Sequence, residues 1–387
     1  MAGRRGHGEG SIYRRESDGK WCTAVDLGWV DGKRKRKVLY GETRKEVAEK
    51  LKVVLREHQQ GLPVALGRQT VGQFLDRWLV DVAKPKLRPK TYHSYAELVR
   101  LHLKPALGHH QLAKLEPGHV QAMMNAKLEA GLSPRTVQYL RAVLRRALGQ
   151  ALKWGLVPRN VVTLTEPPRV TPPELQTLTP AQARAFLDAV RGDRLEALYA
   201  VALALGLRQG EALGLRWQDV DVDAGVLHVR VALQRLRGDG PRLVEPKTRR
   251  SRRSLPLPPA VATQLRAHRG RQREERLLAG REWQGDHWDL VFCTALGRPL
   301  DARHVVYAFK RHLRRAGLPD IRFHDLRHSC ASLLLAQNVH PRVVMETLGH
   351  STITLTMNTY AHVLPEAQRQ AAALMDGLFG AATGAAD

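Results

Sequence analysis

The chain has 387 residues, with 62 Lys or Arg against 37 Asp or Glu, for a formal net charge of +25. Such an excess of cations calls for a polyanionic partner, because each Lys or Arg placed on a phosphate releases condensed counterions. A hydrophobic content of 43% at this length excludes a short histone-like or ribosomal chain and allows two or three domains with cores of their own. No run approaches the roughly 18 apolar residues of a membrane-spanning helix, and the first residues carry no apolar signal stretch. A cytoplasmic protein acting beside the nucleoid, with no membrane partner, is therefore expected. Cys22, Cys293 and Cys330 show no CxxC spacing, which argues against a disulfide scaffold or a zinc ribbon.

Residues 1–62 read as a small module. Gly10–Arg15, Trp21–Leu27 and Lys35–Tyr40 are three short strands, with Asp18-Gly19 and Asp31-Gly32 as hairpin turns. Thr43 caps a helix over Arg44–Gln59, and Gly61-Leu-Pro63 ends it. The basic run Lys33, Arg34, Lys35, Arg36 and Lys37 sits on a turn and strand. Alone it is a solvated face; in a chain this cationic it is a candidate DNA contact.

After a Pro/Gly-bearing connector, residues 68–165 read as all-helical. Val71, Phe74, Leu75, Trp78 and Leu79 form an apolar stripe at helical spacing, Arg88-Pro opens a second helix, and Ser133-Pro opens a third. The third helix carries Arg141 and Arg145 on a basic face that could follow a DNA backbone or simply keep the helix soluble. Residues 166–177 hold two Pro-Pro pairs and form a stiff linker.

A third domain is expected over 178–387. Thr179-Pro180 starts a helix, Leu195–Leu205 is a buried one, and Arg208 follows at a Gly-flanked turn. Glu211 is placed to orient or pair with an arginine, and Trp217 to fill the core. Val226–Val231, Arg242–Glu245 and Ser254–Leu257 predict a small antiparallel sheet, with Lys247 on the loop between the last two strands. The arginine- and glutamate-rich Leu265–Leu278 predicts a solvated helix.

The densest pattern lies between Ile321 and Tyr360. His324 and Arg327 are three apart, His350 follows 23 residues later and Tyr360 ten beyond that. At i, i+3 the first two share a helical face, opposite a stripe of Leu326, Cys330, Leu333 and Leu334. A proline-led helix over Pro341–Leu348 ends at Gly349, which leaves His350 just past its terminus. These residue types suit attack on a phosphodiester by a phenol. Only about one tyrosine in a thousand is ionised at neutral pH, a deficit of roughly 4 kcal/mol that nearby cations and a proton acceptor must offset. His324 and His328 at i, i+4 imitate half of a zinc helix, but HExxH is absent and Arg327 stands between them, so no metal or other cofactor is expected.

Taken together, His324-Asp-Leu-Arg327-His328, Leu348-Gly-His350 and Tyr360 resemble the C-terminal signature of tyrosine recombinases of the lambda-type integrase family. Gly206-Leu-Arg208-Gln-Gly-Glu211 resembles that family's first arginine box, and the segment around Lys247 its β-hairpin lysine box. Leu205, Gln209 and Leu355 depart from the commoner residues of these boxes. The resemblance implies a multidomain α+β fold: an arm-type DNA-binding module, a helical SAM-like core-binding domain, and a mainly helical catalytic domain with a C-terminal tail helix. It implies a site-specific recombinase whose catalytic residues are Arg208, Lys247, His324, Arg327, His350 and Tyr360. Tyr360 would form a 3′-phosphotyrosyl link during integration or excision of a phage or other mobile element. The partners implied are double-stranded DNA, three further copies in a synaptic homotetramer, and DNA-bending or directionality factors. A type IB topoisomerase-like enzyme and a non-catalytic DNA-binding regulator are the alternatives.

Overall fold

In a computed structural model the described residues are 11–30, 33–59, 69–171, 175–236, 238–246, 251–350, 352, 372, 373, 375 and 376. The chain divides into two compact units between Pro172 and Pro173, inside the proline-rich stretch.

In the first unit, β1 (Tyr13–Arg14), β2 (Trp21–Val30) and β3 (Lys33–Gly41) form an antiparallel sheet in that order. The turn at Asp18-Gly19 is in place, and Asp31-Gly32 lies outside the described residues. Helix α1 (Arg44–Gln59) packs Leu51 and Val54 against Val25 of the sheet, and Thr43 caps it by accepting from the Glu46 amide at 3.2 Å. Side chains alternate along β3. Lys37 stands opposite Val25 and is half-buried, whereas Arg36, opposite Asp26, is exposed with Val38 and Tyr40. The basic run is thus strand rather than turn, and its last two members, Arg36 and Lys37, fall on opposite faces.

The helical part of this unit begins with α2 (Val71–Trp78), whose N-terminus is closed by a reciprocal Thr70–Gln73 capping box. It continues through a wide turn at Leu79–Ala83 into α3 (Lys84–Lys86). Next comes α4 (Pro89–Leu98), with a matching wide turn at Val99–Leu103 before α5 (Lys104–Leu107). Pro85 and Pro105 follow these turns. A proline inside a helix lacks its N–H and crowds the carbonyl four residues back, and the widened turns absorb that conflict. Helices α6 (Pro117–Glu129) and α7 (Pro134–Lys153) complete a core built on Trp78, Phe74, Leu103, Met124 and Leu140.

The second unit opens with α8 (Pro180–Ala189), capped by Thr179, then α9 (Glu196–Leu205) and α10 (Gln209–Leu213). Helix α9 is apolar nearly all round, as a central helix must be, and packs on α11 (Pro259–Ala279) and α13 (Asp325–Ala336). The expected single sheet is instead two. One contains β4 (Val220–Asp221), β5 (Val226–Val229) and β8 (Arg253–Pro256); the other is a hairpin of β6 (Ala232–Leu236) and β7 (Gly240–Val244). The short β6 captures β7 as its neighbour, so the segment 242–245 never reaches β5. Helix α11 is solvated at its C-terminal end but docks Val261, Leu265 and His268 on the core. Trp217 is only partly buried, with its indole N–H donating to Gln272 at 2.6 Å. Helices α12 (Ala302–Arg315) and α14 (Pro341–Leu348) finish the unit, with Phe186, Tyr199, Phe309 and Phe323 packed together at its centre.

Candidate active site

Two glycines in left-handed conformation hold the site. Gly206 (φ 59°) ends α9, and Gly349 (φ 65°) ends α14. In that conformation the chain leaves the helix abruptly, as glycine alone does without steric cost. Each turn also frees a carbonyl, and each carbonyl receives an arginine from elsewhere. Arg327, buried on α13, donates through Nη1 to the Gly206 oxygen at 2.7 Å. Arg208, two residues beyond Gly206, donates through Nη2 to the Gly349 oxygen at 3.3 Å. The loop that carries Arg208 therefore anchors Arg327, and the loop that carries His350 anchors Arg208.

Glu211 fixes the other edge of Arg208. Its carboxylate is 4% exposed and accepts from Arg208 Nη1 at 2.6 Å and from the Arg208 amide at 3.1 Å. Arg253 Nη2 reaches the same carboxylate at 3.1 Å. The two guanidinium groups offset the cost of burial and hold this acid below the usual carboxylate range. Glu211 thus pairs with arginine, as its place three residues after Arg208 predicts. Arg208 itself keeps 38% of its side chain exposed, enough for further donors to face an anion.

Helix α13 is not the amphipathic helix the spacing predicts. Asp325, Leu326, Arg327, Ser329, Cys330, Ala331 and Ser332 are buried, so its first two turns are enclosed nearly all round, while Leu333, Leu334 and Leu335 are half-buried and Ala336 is exposed. His324 stands at the helix N-terminus with its ring exposed, edge-on to His328 at 5.2 Å between centroids. Partial desolvation, followed by the Arg327 charge, keeps the His324 imidazole below its ordinary range. Desolvation first, then nearby cationic groups, pushes His328 and His350 down to about 4. All three rings are thus neutral at pH 7, able to accept a proton or to donate one N–H.

These depressed values predict acid sensitivity. Unfolded histidine titrates near 6.5, so between about pH 6.5 and 4 the unfolded chain binds more protons at His328 and His350 than the folded one. Stability is therefore full above about 6.5 and falls as the pH drops toward 4, by at most about 3 kcal/mol per ring, less what residual solvent screens. Urea midpoints at pH 7.5 and 4.5 should differ more for the parent than for a His328→Asn, His350→Asn double variant. Equal pH dependence in the two would refute the assignment.

Arg208, His324, Arg327 and His350 are brought together, while Lys247 and Tyr360 lie outside the described residues. Lys33, Arg34 and Lys35 belong to β3. Arg145 is exposed on α7, but Arg141 requires a correction. Its guanidinium turns inward to the carbonyls of Val162 and Thr165 at 3.0 and 2.8 Å and to the Thr165 hydroxyl at 2.9 Å. It ties α7 to the end of its own domain, adding to the Thr165 amide and hydroxyl that already donate to the Val162 carbonyl. Sequence reasoning also passed over Arg253, although a signal existed: residues 253 and 255 share one face of β8, and Leu255 is buried.

The sequence matches the phage integrase family over residues 176–367 and the phage integrase N-terminal SAM-like domain over residues 70–128. It is 32% identical to a tyrosine recombinase XerC-like protein of Caldanaerobacter subterraneus, over 90% of this chain and 93% of that one. It is 34% identical to an integrase of Streptomyces ambofaciens, over 98% of each. Among solved structures, the Tn1549 transposon integrase in complex with transposon right end DNA aligns with a TM-score of 0.67 at 23% identity, over 79% of this chain and 99% of that one. A lambda integrase tetramer bound to a Holliday junction aligns with a TM-score of 0.55 at 18% identity, over 92% and 96%. The chain belongs to the phage integrase family of tyrosine recombinases. Within it, this protein is a site-specific DNA recombinase of the lambda-integrase type.

Proposed function

We propose that the protein integrates or excises its element by cutting and rejoining duplex DNA through Tyr360. The phenolic oxygen attacks the scissile phosphorus, the 5′-oxygen leaves, and a 3′-phosphotyrosyl link preserves the bond energy for religation. His324 takes the phenol proton, Lys247 protonates the departing 5′-oxygen, and His350 donates to a non-bridging oxygen. Arg208 and Arg327 grip the non-bridging oxygens as charge builds in the pentavalent transition state. The observation that carries this reading is the anchoring of Arg327 on the Gly206 carbonyl and of Arg208 on the Gly349 carbonyl, beside imidazoles of lowered basicity. It fixes cations before the anion arrives, so little reorganisation is left for the reaction itself.

We further propose that the chain works as residues 1–62, 68–165 and 178–387 around a linker at 166–177, with four copies at the synapse. The lambda relative, solved as a tetramer on a Holliday junction, supports that stoichiometry. The β3 basic run and Arg145 are the proposed arm-site and core-site contacts. Sequencing junctions formed beside the attachment DNA that flanks the gene would define the crossover site. On a nicked suicide duplex of that site, Tyr360→Phe should bind like the parent and give no covalent adduct; an adduct from this variant would remove Tyr360 from the mechanism.

A further inference from the structure

Arg253 opens β8, on the far side of the loop that contains Lys247. Its side chain is only 6% exposed, and each of its donor nitrogens contacts a different segment. Nε donates to the Thr347 carbonyl at 2.6 Å, in the last turn of α14. Nη1 donates to the Ser251 carbonyl at 3.1 Å, in the loop's return. Nη2 donates to Glu211 Oε2 at 3.1 Å, on α10. One buried guanidinium therefore ties the start of β8 to α10, which follows Arg208, and to the last turn of α14, which precedes His350.

The Glu211 carboxylate is where this matters most. Oε1 holds Arg208 Nη1, and Oε2 is shared by the Arg208 amide and Arg253. A buried carboxylate with only one arginine would draw that arginine fully into the pair, in competition with any incoming phosphate. A second guanidinium on the other oxygen fixes the carboxylate's rotation and divides its charge. We propose that Arg253 is a positioning residue for DNA cleavage, which sets Arg208 for the scissile phosphate by sharing the Glu211 carboxylate. It touches no DNA itself. The proposal rests on the reading of Arg208 as a phosphate grip.

The test compares two nicked suicide duplexes of the crossover site, one with the ordinary scissile phosphate and one with a methylphosphonate. The methyl group replaces a charged non-bridging oxygen, so cleavage of the second duplex depends less on Arg208. A loss of folded protein slows both alike and leaves the ratio of rates unchanged. Arg253→Gln is expected to lower the phosphate-to-methylphosphonate ratio about tenfold, a change of about 1.4 kcal/mol. Arg253→Lys, which keeps the charge but not the three-way reach, should lower it by a smaller factor. If Arg253→Gln does not fold, the lysine variant decides by the same ratio. A parental ratio in the folded variant overturns the proposal. So does full rescue by a 5′-bridging sulfur, whose leaving group needs no acid, since Arg253 would then act through the lysine loop. Arg208→Ala is run beside them. If its ratio also stays parental, the phosphate-grip reading fails; if it falls while that of Arg253→Gln does not, only the present proposal fails.

Discussion

Arg327→Lys is expected to bind the crossover duplex as the parent does and to form the covalent adduct about 100 to 1,000 times more slowly. A preorganised donor aimed at developing charge is typically worth about 3–4 kcal/mol, and lysine supplies a point charge without the planar fork. The fork matters here because one arm is already committed to the Gly206 carbonyl at 2.7 Å. A lysine that reaches the carbonyl has little left for a phosphate, and one that reaches the phosphate leaves a buried oxygen unsatisfied, at about 1–3 kcal/mol. A modest fall in the thermal midpoint should therefore accompany the kinetic loss. The checks are adduct formation against time on the suicide duplex and a melting curve. Parental cleavage by this variant would reduce Arg327 to a peg for the Gly206 turn.

Gly206→Ala should damage both fold and site, although it adds only one methyl group. At φ 59° a Cβ costs about 1–2 kcal/mol in the backbone alone. The same methyl would stand 2.5 Å from Leu348 Cδ2 and 3.3 Å from Cys330 Sγ, so α14 or the Arg208 turn must move. Either movement parts an arginine from its anchoring carbonyl. We expect a loss of about 3 kcal/mol in stability, from strain plus overpacking, and at least a hundredfold fall in adduct formation. Leu348→Ala alone should destabilise by leaving a cavity, and the double variant should lose less than the sum of the two. Denaturant midpoints of the four proteins measure this coupling; strict additivity would show that the Leu348 contact is not the source of the damage.

The residues that carry chemistry were legible because chemistry restricts type and spacing together. Arg208, His324, Arg327 and His350 stand in the order and intervals of the family's boxes, and the helices of both units announce themselves through Thr179-Pro180, Ser133-Pro134 and the apolar run up to Leu205. Capping and helical periodicity are local, so the chain states them without help from its fold. Pairings that span the chain are not local. Nothing near residue 141 tells that its guanidinium turns back to Thr165, and nothing near residue 253 tells that its partners are Glu211 and Thr347. The exchange of β7 from the expected sheet to the β6 hairpin depends on which neighbour is nearest in space.

Burial decided the remainder. His350 and His324 are ordinary imidazoles in sequence, and both are held below their usual range by desolvation first, then His324 by Arg327 of its own helix and His350 by Arg327 and Arg208 of other segments. The sequence by itself determined which groups are available to act and which stretches of chain are helical. The tertiary structure decided which carbonyl each arginine grips and which rings are desolvated, because the gripped carbonyls lie more than 100 residues away and burial is a property of the packed fold.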